Sequence, residues 1–123
     1  MELKEIMNYK NFVVIGDTLN PDKYAYKIKN KLIENNYNVE CVGKELKSIN
    51  DCKNEIDIID LCINPIKGLE LLKENKKDFK CVLIQPGAES DDIKNYLNNI
   101  NKPYLEGCAL VGISLYRRQK WKH

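Results

Sequence analysis

Five short apolar runs recur along the chain: "FVVIG" at 12–16, "NVECVG" at 38–43, "IDIIDLCI" at 56–63, "CVLIQ" at 81–85 and "PYLEG" at 103–107. Their apolarity is nearly continuous rather than alternating. A strand needs that when both of its faces are covered, so the pattern favours a parallel sheet between layers of helix. The segments between the runs supply the helices. After Asn20 as a cap and Pro21 in the first turn, Ala25, Ile28, Leu32 and Ile33 form one stripe while Lys27, Lys29, Asn30 and Lys31 face outward. A second helix near 66–77 buries Ile66, Leu69 and Leu72, with Phe79 beyond it, and a third near 89–99 opens on Ser90-Asp91 and buries Ile93, Tyr96 and Leu97. "KELKSINDCKNE", between strands two and three, is too short and polar for more than a turn or so of helix.

This is the pattern of one α/β domain over residues 1–123, an open parallel five-stranded sheet with helices on both faces. Right-handed crossovers suggest the strand order 3-2-1-4-5. Ligands in such sheets sit beyond the carboxyl ends of the strands where the order reverses, here between strands one and four, flanked by Gly16 and by Gln85-Pro86-Gly87. The turn after strand one feeds a helix N-terminus, whose free N–H groups favour a phosphate. The loop reads "GDTLNPDK", however, and lacks the glycines of the dinucleotide fingerprint, with Thr18 at a close-approach position.

Other classes are excluded or left without support. Twenty Lys and Arg against 18 Asp and Glu give a net charge of +2, which provides no general basic field for nucleic acid. The opening "MELKEIMNYKNFVVIG" has neither a signal-peptide core nor a run long enough to span a bilayer, so the expected location is cytoplasmic. Five widely spaced cysteines without a C-x-x-C pair, and a single His, argue against a disulfide framework or a metal site; Cys41, Cys62 and Cys81 fall in apolar runs and read as small buried hydrophobes. No catalytic set assembles, because the only His is His123 and the carboxylates are scattered on helix faces. Cys108 follows strand five near the sheet's carboxyl edge and reads as an inert thiol. The terminal "RRQKWKH" reads as a solvated basic tail, and "ALVGISLY" before it offers an apolar strip on which a homodimer would form.

The stretches "VVIGDTLNPDKYAYKIKNKLIENNYNVECVG", "IDIIDLCINP", "CVLIQPGAES" and "YLEGCALV" together resemble the small stand-alone CoA-binding domain family, relatives of the CoA-binding domain of succinyl-CoA synthetase. The resemblance spans roughly residues 10–112. It implies a Rossmann-like fold and coenzyme A or an acyl-CoA held through its ADP part, in a family most of whose members have no established reaction. Carried over by position, Gly16, Thr18, Asn20, Lys23 and Tyr26 line the phosphate loop. Val42, Gly43 and Lys44 close strand two, and Ile63, Asn64 and Pro65 close strand three. Asp17 stands where the family usually has a small neutral residue; beside a pyrophosphate its charge costs affinity unless it points away or caps the helix. Gly43-Lys44 replaces the family's Asn-Pro after strand two.

The residue chemistry also bears on which nucleotide fits. An NAD site of this fold wants a carboxylate at the end of strand two to grip the ribose, and this chain offers Gly43-Lys44, with Glu45 next. A cation suits an extra ribose phosphate, as in CoA or NADP. The expectation is a CoA- or acyl-CoA-binding module whose partner is a small-molecule nucleotide and which performs no chemistry of its own. An NADP-linked oxidoreductase and a nucleotide-responsive regulatory or interaction protein stand as alternatives.

Overall fold

Five parallel strands, β1 (Asn11–Gly16), β2 (Asn38–Gly43), β3 (Ile58–Cys62), β4 (Cys81–Ile84) and β5 (Tyr104–Glu106), hydrogen-bond in the order β2-β1-β3-β4-β5. The computed structural model describes residues 1–117, so the basic tail beyond Arg117 lies outside the described residues. The open parallel α/β sheet with helices on both faces is the one the apolar runs predict, and it is Rossmann-like.

The order itself differs from 3-2-1-4-5 and moves the switch point to between β1 and β3. Composition gives the physical reason. Ile58 to Leu61 of β3 are all buried, which suits a central strand, whereas β2 carries exposed Asn38 and half-buried Glu40. The Glu40 carboxylate turns out of the sheet to accept the N–H groups of Lys53 (2.9 Å) and Asn54 (2.8 Å), which pins the loop after β2 beside the edge. Partial burial disfavours its charge, but these bonds outweigh that and hold its pKa below the ordinary value.

Alternate strand residues divide the core into two layers. Val13, Ile15, Ile59, Leu61, Val82 and Ile84 face a layer formed by the 3-10 turn Ile49–Asp51, α3 (Pro65–Glu74) and α4 (Asp91–Asn99). Phe12, Val14, Ile58, Cys81 and Leu83 face α1 (Leu3–Ile6), α2 (Tyr24–Glu34) and α5 (Ala109–Tyr116). Each buried aliphatic side chain contributes about 1.5–3 kcal/mol, so neither layer is dispensable.

Several local expectations change. α2 begins at Tyr24, because Asn20 and Pro21 belong to a turn closed by a hydrogen bond from the Lys23 N–H to the Asn20 carbonyl (3.0 Å). Ile33 and Ile66 leave the predicted stripes and are exposed, the latter by 78 %, while Leu71 takes a buried place beside Leu72. "ALVGISLY" is a helix, and its Ala109, Gly112 and Ile113 pack inward. Half of the apolar strip is thus used within the chain, with Val111 and Leu115 outward. The single 3-10 turn after β2 agrees with the short, polar segment there.

α4 shows how local chemistry sets a boundary. Ser90 Oγ accepts the Ile93 N–H (3.1 Å), and Asp91 and Asp92 occupy the first turn, where negative charge meets the positive end of the helix. Ser90→Ala is expected to cost about 1 kcal/mol in urea denaturation. An unchanged midpoint would show that the acidic first turn suffices.

Candidate functional site

β1 ends at Gly16, level with Gly43 on β2 and Cys62 on β3. A Cβ at Gly16 would lie 2.3 Å from the Cys62 carbonyl oxygen and 2.8 Å from the Ala25 Cβ. Only glycine lets β1, the end of β3 and the start of α2 converge this closely. Above the convergence lies a cleft of about 350 Å³. Asp17, Lys23, Tyr24 and Ala25 line one side, Cys62, Ile63 and Asn64 the second, and Pro86, Gly87 and Ala88 after β4 the third.

The loop from β1 into this cleft is held by its own side chains. Asp17 Oδ1 accepts the Leu19 N–H (3.3 Å) and Asn20 Oδ1 accepts the Asp22 N–H (3.0 Å), local bonds typical of Asx turns. The chain then enters α2 through Lys23, whose side chain carries no acceptor, so the first N–H groups of α2 have no side-chain cap. In contrast, Asn64 Oδ1 accepts the Lys67 N–H (2.9 Å), with Pro65 opening the helix, and Ser90 caps α4. The helix start that borders the cleft beside β1 is therefore left without a side-chain cap, as α5 is after Cys108, while its neighbour across the cleft is closed.

Of the residues predicted for the site, Asp17, Lys23, Ile63 and Asn64 line the cleft, and Gly16 lies at its base. The others stand apart from the lining. Thr18 is 0 % exposed, and its hydroxyl donates to Glu45 Oε2 (2.5 Å), which also accepts Lys29 Nζ (2.8 Å). Desolvation works against the charge of Glu45, but the bonds from Lys29 and Thr18 outweigh it and keep its pKa below the usual value. Asn20 is occupied in its turn, and Tyr26 is half-buried on α2. Val42 is in the core, and Gly43 and Lys44 lie exposed at the end of β2. Pro65 is the first residue of α3.

Tyr24, 67 % exposed, and Cys62 are lining residues that the sequence reading did not select. The signal for Cys62 was its register with Gly16, visible once β3 is placed next to β1. Cys62 is half-buried rather than buried, and desolvation, with Asp60 and Cys108 nearby, pushes its thiol up to about 12, which leaves it neutral and a poor nucleophile. Cys41 and Cys81 are buried as expected. Among the described residues no group of three or more His, Cys, Asp or Glu side chains is placed to hold a metal, and no helix is long and apolar enough to cross a membrane.

A family model described as "CoA binding domain" matches residues 10–114. The chain belongs to the CoA-binding domain family. Solved structures share the fold of this CoA-binding domain. A conserved hypothetical protein from Pyrococcus furiosus is 24% identical with a TM-score of 0.73, over 84% of this chain and 98% of that one. A hypothetical protein from Pyrococcus horikoshii OT3 is 20% identical with a TM-score of 0.80, over 91% and 87% of the two chains. A Thermus thermophilus protein is 20% identical with a TM-score of 0.77, over 93% and 98%. No curated protein matches the chain.

Proposed function

We propose that the chain binds coenzyme A, free or as an acyl thioester, in the cleft between β1 and β3, as a binding module rather than as an enzyme. The observation that carries this reading is the uncapped start of α2 opening into a cleft at the switch point of the sheet. Free N–H donors, the positive end of an 11-residue helix and the Lys23 ammonium suit the phosphates of the ligand. Asp17 opposes them, and its bond to the Leu19 N–H draws one of its oxygens toward the loop backbone.

The end of β2 favours the same ligand over NAD. Glu45, the acid nearest in sequence to that end, is engaged by Thr18 and Lys29 instead of being free for a ribose. Exposed Lys44 precedes it, next to Gly43, which pairs with Gly16. In this reading Gly16, Lys23, Ile63 and Asn64 contact the ligand, Lys44 meets its ribose phosphate, and Thr18, Asn20 and Tyr26 shape the loop and helix that present them.

Thermal unfolding tests the proposal. A ligand that binds only the folded state stabilises it by about 2.7 kcal/mol at a hundredfold excess over Kd, a rise of several degrees for a domain of this size. CoA and acetyl-CoA are expected to produce that rise, NADP a small one and NAD almost none; no shift with CoA at saturation would overturn the reading. Lys44→Glu is expected to weaken CoA roughly tenfold more than dephospho-CoA, because only CoA carries the extra phosphate. Equal weakening of both ligands, measured by calorimetry, would remove Lys44 from the ribose phosphate.

A further inference from the structure

Asp60 lies near the middle of β3, 0 % exposed, with its Oδ1 accepting Gln85 Nε2 at 2.6 Å. Its Oδ2 is the one buried side-chain oxygen or nitrogen among the described residues that has no hydrogen-bond partner. Both members of the pair adjoin the cleft in sequence: Asp60 is two residues before Cys62 on the same face of β3, and Gln85 directly precedes Pro86. Resting on the reading above, we propose that this buried pair couples the cleft to a proton: the anionic ligand binds with Asp60 protonated, and ionisation of Asp60 weakens binding.

The reason is electrostatic. A carboxylate in an apolar layer interacts strongly with any charge brought nearby, because little water screens it. Filling the cleft with phosphates adds negative charge beside Cys62, two residues along β3 from Asp60, so the ligand raises the cost of ionising it. Linkage then requires the converse, that an ionised Asp60 costs the ligand affinity.

The surroundings leave Asp60 as the group that responds. Val14 of β1 and Leu83 of β4 flank it in register, and α1, α2 and α5 present Ile6, Ala25, Ile28 and Ile113 to the same layer. The titratable groups there are the phenols of Tyr9 and Tyr37, the thiols of Cys62 and Cys81 and the N-terminal ammonium of Met1, with Cys108 at the start of α5 and the Glu5 carboxylate acting on Cys81; among the described residues Asp60 is the one buried carboxyl side chain. Burial raises Cys62 to about 12 and Cys81 to about 11, so both stay neutral near pH 7. Burial pushes Asp60 up to about 7, against a smaller opposing effect of the Gln85 bond. Asp17 and Lys23 carry the charges in the cleft itself.

The test is the CoA affinity of the wild-type protein and of Asp60→Asn between pH 6 and 8.5, by calorimetry. CoA has its own phosphate ionisation near pH 6, common to both proteins, so the ratio of their Kd values isolates Asp60. The wild-type Kd is expected to rise about tenfold relative to that of Asp60→Asn, as for a bound-state pKa one unit higher. A ratio constant across the range would overturn the proposal while leaving CoA binding intact, whereas absence of CoA binding in both proteins would overturn both readings. The carboxyl carbon shift of Asp60, followed by NMR in wild-type protein, gives a readout that needs no variant. Its midpoint is expected to move to higher pH when CoA is added, and an unmoved midpoint would overturn the coupling.

Discussion

Gly16→Ala is expected to destabilise the protein by on the order of 3 kcal/mol, as an overpacked site does when the obstruction cannot move aside. The added methyl would sit 2.3 Å from the Cys62 carbonyl oxygen, and that oxygen belongs to a strand paired on both sides. Relief requires β1 and β3 to separate at their carboxyl ends or α2 to lift, because the Ala25 Cβ blocks the next direction at 2.8 Å. Either movement deforms the base of the cleft, so CoA affinity falls with stability. Gly87→Ala is the comparison. It also borders the cleft, but nothing lies within 4 Å of its Cβ position, so its cost is that of a positive φ (+94°) alone, about 1–2 kcal/mol. Urea denaturation of the two variants separates a packing cost from a backbone cost. Equal, small losses would mean that the strand ends yield easily and that Gly16 is simply a turn residue.

The same contact shows which parts of the fold could be read from the chain. "FVVIG" and "CVLIQ" read as buried strands because their side chains on both faces are apolar, and Ser90 reads as a helix start because cap chemistry is local. Strand order is not local. It depends on the difference between "IIDL", wholly enclosed, and "NVECVG", whose Glu40 suits an edge, a difference that right-handed crossovers alone do not encode. α1 and α5 carry no helical signal in the sequence, for opposite reasons. α1 is a single short turn whose capping box uses Glu2 and Glu5 instead of the usual hydroxyl, and α5 is apolar on every side and shows no stripe. Gly112 of α5 lies against Met7, where a Cβ would approach Cγ and Sδ to 2.8 Å, a close packing that no periodicity encodes.

The site was legible in its loop and not in its walls. Gly16, Asp17 and Lys23 lie along the loop after β1 and Ile63-Asn64 ends an apolar run, so the family resemblance could mark these positions. Thr18 is also in that loop, but its side chain points to Glu45, 27 residues away, and only the folded chain shows the hydroxyl already spent. Asp60 read as one polar residue inside an apolar run. Its importance comes from Gln85, 25 residues later, and from the absence of a partner for its second oxygen.

Asp60→Asn is therefore expected to stabilise the ligand-free protein at pH 8 by about 3 kcal/mol. A carboxyl with a pKa of 3.8 when unfolded and about 7 when folded binds more protons in the folded state between those values, so stability declines as pH rises through that window. The full decline from this one group is on the order of 4 kcal/mol, at 1.36 kcal/mol per unit. It is absent below the unfolded value, complete above the folded one, and opposite in sign to the trend of a carboxylate held in an ion pair. Asparagine keeps the shape and an oxygen acceptor for Gln85 Nε2 but cannot ionise. Part of the gain is lost because its N–H₂ group takes the place of an oxygen that has no partner. Urea denaturation across pH 4 to 8 is the measurement. The two proteins are expected to lie within about 1 kcal/mol of each other at pH 4 and to diverge steadily to pH 8. Parallel curves would show that Asp60 keeps an ordinary carboxyl pKa inside the sheet, through a cation or water that reaches Oδ2 in solution, and that the pair beneath the cleft does not titrate near neutrality.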